Sequence, residues 1–359
     1  MNFIDFHADT LMKLELIRDS DKNRDETVLA ITPDKLRDFE SSGVVFSVWS
    51  GPHFPGALSF KDTVSRLKIG KEYLIQAGYQ IASQSRASVQ KLWDEEKPIA
   101  FFGIEGGFAL NSDINNIKIF RELGVMRYTL THFESPEWAN SDNDQTKNGL
   151  NKLGIELVGE MNSAGIIVDV AHANEKTMLD VCLVSSKPIV YSHGGVQQLS
   201  QSARGVSDRA MCEIAKSGGV IGLSLFPHHH TPIIEYQTGA LEAFYKDYSL
   251  LKSLASPHYN VNRAAEVKML LSEFPSPLAS PSLELFKRTL DYAINKVGVE
   301  AVAIGTDFDG SPFYFEGISD CKDLFLLANI LNFSGVSAEI IDNLFWKNAK
   351  RVIWDNLNE

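Results

Sequence analysis

Histidine and carboxylate side chains stand at the ends of short apolar runs in this chain. The residues that share this position are His7, Asp9, Glu105, His132, His172, His193 and Asp307. In a parallel β-barrel the carboxyl ends of all strands face one pocket, so these side chains would meet there. Imidazole and carboxylate groups without cysteine suit a hard-to-borderline cation, most naturally zinc. The sequence therefore predicts a metal centre at one end of a barrel.

His7 and Asp9 form an H-x-D pair at the end of the first apolar run. Residues i and i+2 of a strand point to the same side, so both side chains could bind one ion. The triplet is a weak signal by itself because it occurs often by chance. It gains weight from the other groups expected in the same pocket.

Three further residues complete the predicted ligand set. Glu105 is followed by two glycines, which permit a sharp turn, and its two carboxylate oxygens could bridge two cations. His172 and His193 end two successive runs, and each is a natural imidazole ligand for a second ion. A single strand-end histidine is more often a hydrogen-bonded core residue, so this prediction depends on the two occurring in succession.

Three other residues of these segments have different expected uses. Asp307 lies in the segment GTDFDG and is better placed to accept and donate a proton than to bridge cations. Asp309 in the same segment could cap or shape the turn. His132 has two open uses, as a metal ligand or as an imidazole directed at a developing oxyanion.

The elements that would position these residues alternate along the chain. Eight apolar runs are separated by segments with helical periodicity, which indicates a parallel sheet covered on both faces and favours a (β/α)8 TIM-like barrel. No glycine-rich phosphate-binding motif follows the first run, which argues against a dinucleotide-binding sheet. The predicted strands are 3–9, 44–49, 99–105, 125–132, 166–172, 188–193, 219–226 and 301–307. The predicted helices include 34–39, 62–75, 114–123, 151–161, 175–184, 208–216 and 283–297, with 322–331 and 338–357 on the barrel exterior.

Residues 227–280 break this alternation. The segment is too long for a simple connection, follows the seventh run, and is predicted to contain helices at 241–254 and 263–271. We expect one catalytic barrel domain over 1–359, with 227–280 inserted in it as a lid-like or interface segment. The insertion begins with His228, His229 and His230, which we predict to be loop residues because five ligands are already assigned.

Composition and charge limit the class of partner. The 359-residue chain is 44% hydrophobic and 22% charged, as in ordinary globular proteins, and its formal net charge is −12. That charge argues against nucleic acid and anionic membrane surfaces as partners. The three cysteines are scattered and suit buried thiols in a reducing compartment. With no leader and no run of membrane length, we expect a cytoplasmic protein.

The motifs together resemble those of the membrane (renal) dipeptidase family, the zinc-dependent peptidases of family M19. The resemblance extends from about residue 3 to residue 352. The segments that carry it are DFHADT at 5–10, GIEGG at 103–107, RYTLTH at 127–132, DVAH at 169–172, YSH at 191–193, RGVSD at 204–208 and GTDFDG at 305–310. Their order, and the step of 21 residues between His172 and His193, also fit the family.

The resemblance implies a binuclear zinc site and a role for each matched residue. His7, Asp9 and Glu105 would bind one ion, and Glu105, His172 and His193 would bind the other. The remaining roles implied are His132 as partner of the substrate carbonyl or oxyanion, Arg204 as anchor of the substrate carboxylate, and Asp307 as acid–base group.

These inferences predict hydrolysis of dipeptides with a free C-terminal carboxylate, with L,D-dipeptides plausible by resemblance alone. The expected partner is a small dipeptide substrate, and neither nucleic acid nor a membrane is expected as a partner. A homodimer is one possible oligomeric state. Two alternatives remain. One is a related metal-dependent amidohydrolase acting on another small amide, which retention of Arg204 disfavours. The other is a non-catalytic metal-binding scaffold, which would be expected to have lost Asp307 or a ligand.

Overall fold

The structure is a computed structural model that describes residues 1–19, 26–51, 57–83, 85–95, 97–146, 148–232, 234 and 277–358. The helices predicted at 241–254 and 263–271 lie outside these residues, so the prediction for the insertion is not tested. Within the described residues, no helix combines the length and apolar character needed to cross a membrane.

Parallel strands form the centre of the molecule, and each of the eight predicted runs contains one. The strands run in the order β1-β2-β4-β5-β6-β7-β8-β9, and the short β3, which was not predicted, pairs with β4. They are β1 Phe3–Ala8, β2 Ser42–Trp49, β3 Gln80–Ile81, β4 Ile99–Glu105, β5 Val125–Thr129, β6 Ile167–Asp169, β7 Val190–Tyr191, β8 Val220–Leu223 and β9 Val302–Ile304. The predicted barrel fold is confirmed.

The first and last strands meet where the barrel nearly closes. The amide of Asp9 donates to the carbonyl of Phe308 at 2.8 Å, and the amide of Asp307 donates to the carbonyl of His7 at 3.1 Å. Beneath them, the Thr306 hydroxyl donates to the Asp5 carboxyl at 2.6 Å. Because Asp5 is fully buried, desolvation raises its pKa to about 7, although the bonds from Thr306 oppose that rise. Closure thus brings the ends of β1 and β9 side by side.

Helices connect and cover the strands. They are α1 Thr10–Asp19, α2 Pro33–Leu36, α3 Ala57–Ala77, α4 Arg86–Trp93, α5 Asn116–Glu122, α6 Lys152–Ala164, α7 Glu175–Val184, α8 Gln197–Ser200, α9 Asp208–Lys216, α10 Leu283–Val297, α11 Leu324–Phe333, α12 Ala338–Asp342 and α13 Asn348–Asn356. Side-chain caps mark the starts of two of these helices: Thr32 accepts from the amide of Lys35 before α2, and Ser207 accepts from the amide of Ala210 before α9. Helices α1, α4 and α8 were not predicted.

The C-terminal helix closes the barrel at the end opposite the predicted metal centre. Apolar side chains near the starts of the strands, such as Ile4, Val45 and Phe101, form one buried cluster with Val352 and Ile353 of α13. The expectation that the C-terminal helices all lie on the barrel exterior is therefore wrong for α13. Its apolar face fills the open end of the barrel because the strand starts supply matching apolar surface there.

Candidate metal centre and active site

The predicted ligands converge at the carboxyl ends of the strands. His7 and Asp9 leave the end of β1, and the Nε2 atom of His7 lies 3.1 Å from Oδ2 of Asp9. The same Nε2 lies 3.6 Å from Oε2 of Glu105, the last residue of β4. All three side chains are at least 95% buried. The i, i+2 spacing at the end of β1 therefore brings the two side chains together as expected.

The other oxygen of Glu105 faces a second pair of donors. Its Oε1 lies 3.2 Å from Nε2 of His172 and 3.4 Å from Nε2 of His193. The two imidazole Nε2 atoms are 3.1 Å apart. The two Glu105 oxygens thus have different imidazole neighbours, His7 at Oε2 and the pair His172 and His193 at Oε1. The rings of His7 and His193 also lie close together, with centroids 3.8 Å apart, and both can group with Glu105 around one cation.

Burial makes this donor set suitable for a cation. Desolvation lowers the pKa of His172 and of His193 well below the ordinary value, so both rings are neutral at pH 7 and keep a lone pair for a metal. Desolvation also raises the pKa of Glu105 to about 8, opposed mainly by His7. A bound cation would favour the ionised carboxylate and remove that cost. The residues present therefore fit a metal.

Asp307 and His132 stand at the edge of the same cluster. Oδ1 of Asp307 lies 3.9 Å from Nε2 of His7, and the Ser311 hydroxyl donates to its Oδ2 at 2.7 Å. Burial raises the pKa of Asp307 to about 6, although His7 opposes the rise. His132 lies across the site, with Nε2 3.9 Å from Oε1 of Glu105. Distance alone would allow either side chain to reach a metal, since each can group with two other donors.

Asp309 holds the loop that carries Asp307. Its buried carboxylate accepts from Thr10 at 2.7 Å, from Lys13 at 2.9 Å and from the amide of Ala30 at 2.9 Å. These bonds join the end of β9 to α1 and to the segment before α2. Asp309 therefore shapes the turn, as one reading of the sequence expected.

Arg204 reaches the site from the loop between α8 and α9. Its Nη1 donates to the hydroxyl of Tyr191 at 2.8 Å, and its Nη2 donates to the carbonyl of His193 at 3.0 Å. The tyrosine hydroxyl in turn donates to the Arg204 carbonyl at 2.6 Å. The guanidinium is thereby held beside His193, which places a cationic group next to the converging donors.

The histidines at 228–230 lie after β8, where a 3-10 helix spans Pro227–His229. Nδ1 of His229 is 2.7 Å from the Ser224 hydroxyl, and Nε2 of His230 donates to the Ser224 carbonyl at 2.8 Å. The ring of His228 packs edge-on against Phe226. Among the described residues, none of the three belongs to a cluster of metal-binding donors.

A buried ion pair beneath the centre was missed from the sequence. Arg127 of β5 pairs with Asp169 of β6, and both side chains are fully buried. The guanidinium also lies against Nδ1 of His7 at 3.1 Å and donates to the Ser192 hydroxyl at 3.0 Å. A Cβ on Gly103 would lie only 2.6 Å from Nη2 of Arg127, so this glycine leaves room for the guanidinium. The sequence did contain a signal for this ion pair, because Arg127 and Asp169 are charged residues inside the apolar runs 125–132 and 166–172.

Replacing Arg127 by Met should lower the free energy of unfolding by about 3–5 kcal/mol, the usual loss when one partner of a buried ion pair is removed. The reason is that Asp169 would remain buried without its counter-charge. Urea unfolding of the metal-free protein measures the change. Lys216→Met, which removes an exposed partner of Glu213, is the control and should leave the midpoint unchanged. A loss below about 1 kcal/mol for Arg127→Met would contradict the prediction.

Comparison with known proteins agrees with this geometry. The family model described as membrane dipeptidase (peptidase family M19) matches residues 1–358. Dipeptidase tcpJ of Claviceps purpurea is 23% identical over 270 residues, which are 74% of this chain and 52% of that protein. Dipeptidase verJ of Clonostachys rogersoniana is 24% identical over 279 residues, which are 77% of this chain and 60% of that protein. The matches thus span between half and three fifths of these relatives.

Solved structures share the architecture. A dipeptidase AC described as a metallopeptidase of family M19 superposes with a TM-score of 0.77 at 19% identity, covering 100% of this chain and 99% of that one. A metallopeptidase from Rhodobacter sphaeroides, liganded with a phosphinate mimic of the dipeptide L-Ala-D-Ala, gives a TM-score of 0.76 at 19% identity, covering 99% of each chain. At this identity the likeness establishes the fold.

Proposed function

Because this chain belongs to the membrane dipeptidase family, peptidase family M19, we propose that it is a zinc-dependent dipeptidase. The proposed reaction is hydrolysis of the peptide bond in dipeptides that have a free C-terminal carboxylate. The observation that carries the proposal is the arrangement around Glu105, whose Oε2 lies 3.6 Å from Nε2 of His7 and whose Oε1 lies within 3.4 Å of Nε2 of His172 and of His193. An arginine held beside the same cluster supports a substrate with a carboxylate.

The metal would consist of two zinc ions that share Glu105. His7, Asp9 and Oε2 of Glu105 would hold one ion, and His172, His193 and Oε1 would hold the other. When bound, the pair would supply Lewis acidity toward the peptide carbonyl and lower the pKa of the attacking water.

Three side chains would act on the substrate. Asp307 accepts the proton that the attacking water loses and delivers it to the leaving amine, and a pKa near neutrality suits a group that must do both. His132 donates a hydrogen bond to the carbonyl oxygen as negative charge develops there. Arg204 binds the C-terminal carboxylate through charge-assisted hydrogen bonds.

The stereochemistry of the substrate, the cellular compartment and the domain organisation are further parts of the proposal. L,D-dipeptides are included, with support from the fold shared with the protein that was solved with an L-Ala-D-Ala mimic. A cytoplasmic setting has support from three free cysteines, of which Cys321 is buried and Cys182 and Cys212 are partly exposed. We retain one catalytic domain over 1–359, with 227–280 as a lid-like or interface insertion.

A hydrolysis screen against a dipeptide library, with zinc added, tests the proposal. Release of free amino acids from L,L- or L,D-dipeptides is the expected result. Turnover of another small amide with none of any dipeptide would favour the related amidohydrolase. Metal binding without turnover of any amide would favour the non-catalytic scaffold, although Asp307 and all five proposed ligands are present.

Arg204→Met should lower kcat/KM for a free dipeptide by two or more orders of magnitude, because a charge-assisted pair with the substrate carboxylate is lost. The same variant should change kcat/KM little for the dipeptide amide, which has no such carboxylate. Steady-state kinetics on the acid and its amide make the comparison. Arg209→Met, at an exposed position on α9, is the matched control. Equal losses on both substrates would remove Arg204 from the carboxylate role.

A further inference from the structure

A tryptophan contacts the imidazole whose use the sequence left open. Trp49 is the last residue of β2, is 5% exposed, and pairs in register with Glu105 of β4. Its indole Nε1 donates to Nδ1 of His132 at 3.0 Å. The two ring centroids are 5.5 Å apart, with 63° between the ring planes. The contact therefore lies directly beside the metal centre.

The chemistry of the two rings determines where the His132 proton is. An indole N–H can only donate a hydrogen bond, so Nδ1 of His132 must accept with its lone pair. A neutral imidazole carries one proton, and that proton must then be on Nε2. Nε2 is the atom that lies 3.9 Å from Glu105 Oε1. His132 thus presents an N–H to the site.

The proposed ligand His193 has a different kind of group behind it. The Ser192 hydroxyl lies 2.9 Å from Nδ1 of His193. A hydroxyl oxygen can accept a hydrogen bond from a protonated Nδ1. The Nε2 lone pair of that ring then remains available for a metal. If His132 were protonated at Nδ1, two N–H groups would face each other across 3.0 Å. The indole therefore disfavours His132 as a ligand.

We propose that Trp49 is a positioning residue that holds His132 in the Nε2–H tautomer, making it a hydrogen-bond donor to the reacting carbonyl rather than a metal ligand. The carbonyl part rests on the proposed dipeptidase function, whereas the tautomer part does not. Trp49 is itself held in place, since its carbonyl accepts from the Arg66 guanidinium, whose Nε donates to Glu15 at 2.7 Å.

Nitrogen-15 NMR of histidine-labelled, zinc-loaded protein tests the tautomer directly. His132→Ala identifies the His132 signals by their disappearance. In the wild-type protein we expect a protonated Nε2 and an unprotonated, hydrogen-bonded Nδ1. Trp49→Phe should shift the Nδ1 resonance and introduce the other tautomer. Trp93→Phe replaces a buried indole between α4 and α13, away from the site, and should leave these signals unchanged.

Kinetics provide the second arm of the test. Trp49→Phe should lower kcat about 10-fold with little change in KM. This loss is smaller than the 10²–10³-fold loss expected when a whole donor is removed, because the imidazole of His132 is still present. In a His132→Ala background, the same substitution should have almost no further effect on kcat, since the two act as one unit. The zinc content should stay at the wild-type value.

Three results would overturn the inference: a proton on Nδ1 in the wild-type protein, an unchanged tautomer in Trp49→Phe, or independent effects on kcat in the double mutant. Loss of zinc from His132→Ala would also oppose it by making His132 a ligand. If no dipeptide is hydrolysed, the proposed function fails, and the NMR arm still decides which nitrogen carries the proton.

Discussion

Asp307→Asn is expected to lower kcat by about 10²–10⁴ while the protein keeps its metal and its fold. An amide has almost the shape of the carboxyl group and can still accept from the Ser311 hydroxyl, which now donates to Oδ2 at 2.7 Å. It cannot carry a proton from the attacking water to the leaving amine. The expected loss is therefore in turnover, with KM changed much less.

Single-turnover kinetics, elemental analysis and urea unfolding of the same preparation separate these effects. Asp38→Asn, at an exposed position after α2, is the matched control and should match the wild-type protein in all three. Loss of one zinc from Asp307→Asn would identify Asp307 as a metal ligand. Its Oδ1 lies 3.9 Å from Nε2 of His7, which is close enough for both atoms to bind one ion. Nearly normal kcat would end the acid–base assignment.

Glu105→Gln is expected to weaken metal binding at both positions together. The glutamine keeps one carbonyl oxygen, but its amide group would face either His7 or the pair His172 and His193. An amide nitrogen is no ligand, and the negative charge that the two proposed cations would share is lost. We expect metal dissociation constants to rise at least 100-fold, beyond the 10–100-fold typical of residues behind the ligands.

Elemental analysis should find about two zinc equivalents in the wild-type protein and less than one in Glu105→Gln after dialysis, because both proposed sites use this carboxylate. His193→Ala should empty chiefly one position. His228→Ala replaces a histidine outside the described donor clusters and should retain both ions. One equivalent in the wild-type protein, unchanged by Glu105→Gln, would contradict the shared carboxylate.

The barrel was predictable because its strands are buried on both faces. A short, near-continuous apolar run such as 99–105 is typical of a strand that is buried on both faces. Each of the eight runs has a strand in the structure. Helices were predicted where helical periodicity marked them, as over 208–216, where the structure has α9. Helix α1 was missed because it begins at Thr10, directly after the residues that end the first run.

Residue types and order determined which groups could serve a metal. Parallel strands send their carboxyl ends to one face, so His7, Glu105, His172 and His193 had to converge once the barrel was assigned. The sequence could not show which oxygen of Glu105 faces which group. That depends on a side-chain orientation produced by packing from several strands.

Local backbone geometry also came only from the tertiary structure. His172 and Asp307 adopt positive φ angles of 60° and 63°, which are uncommon for residues other than glycine. Such a conformation persists only where the surrounding structure holds it, as the bonds to Asp309 hold the loop of Asp307. No pattern in the sequence indicates that these two residues adopt positive φ angles.

The sequence by itself determined the fold, the family and the set of groups that meet at the carboxyl end of the barrel. The tertiary structure alone decided what lies behind each group: a serine hydroxyl behind His193, a serine hydroxyl and the Arg127 guanidinium behind His7, and an indole behind His132. Trp49 and His132 are 83 residues apart, so their hydrogen bond exists only because β2, β4 and β5 are neighbours in the barrel. The partner of one ring nitrogen selects the state of the other, and partners of this kind are assigned by three-dimensional contact rather than by residue type.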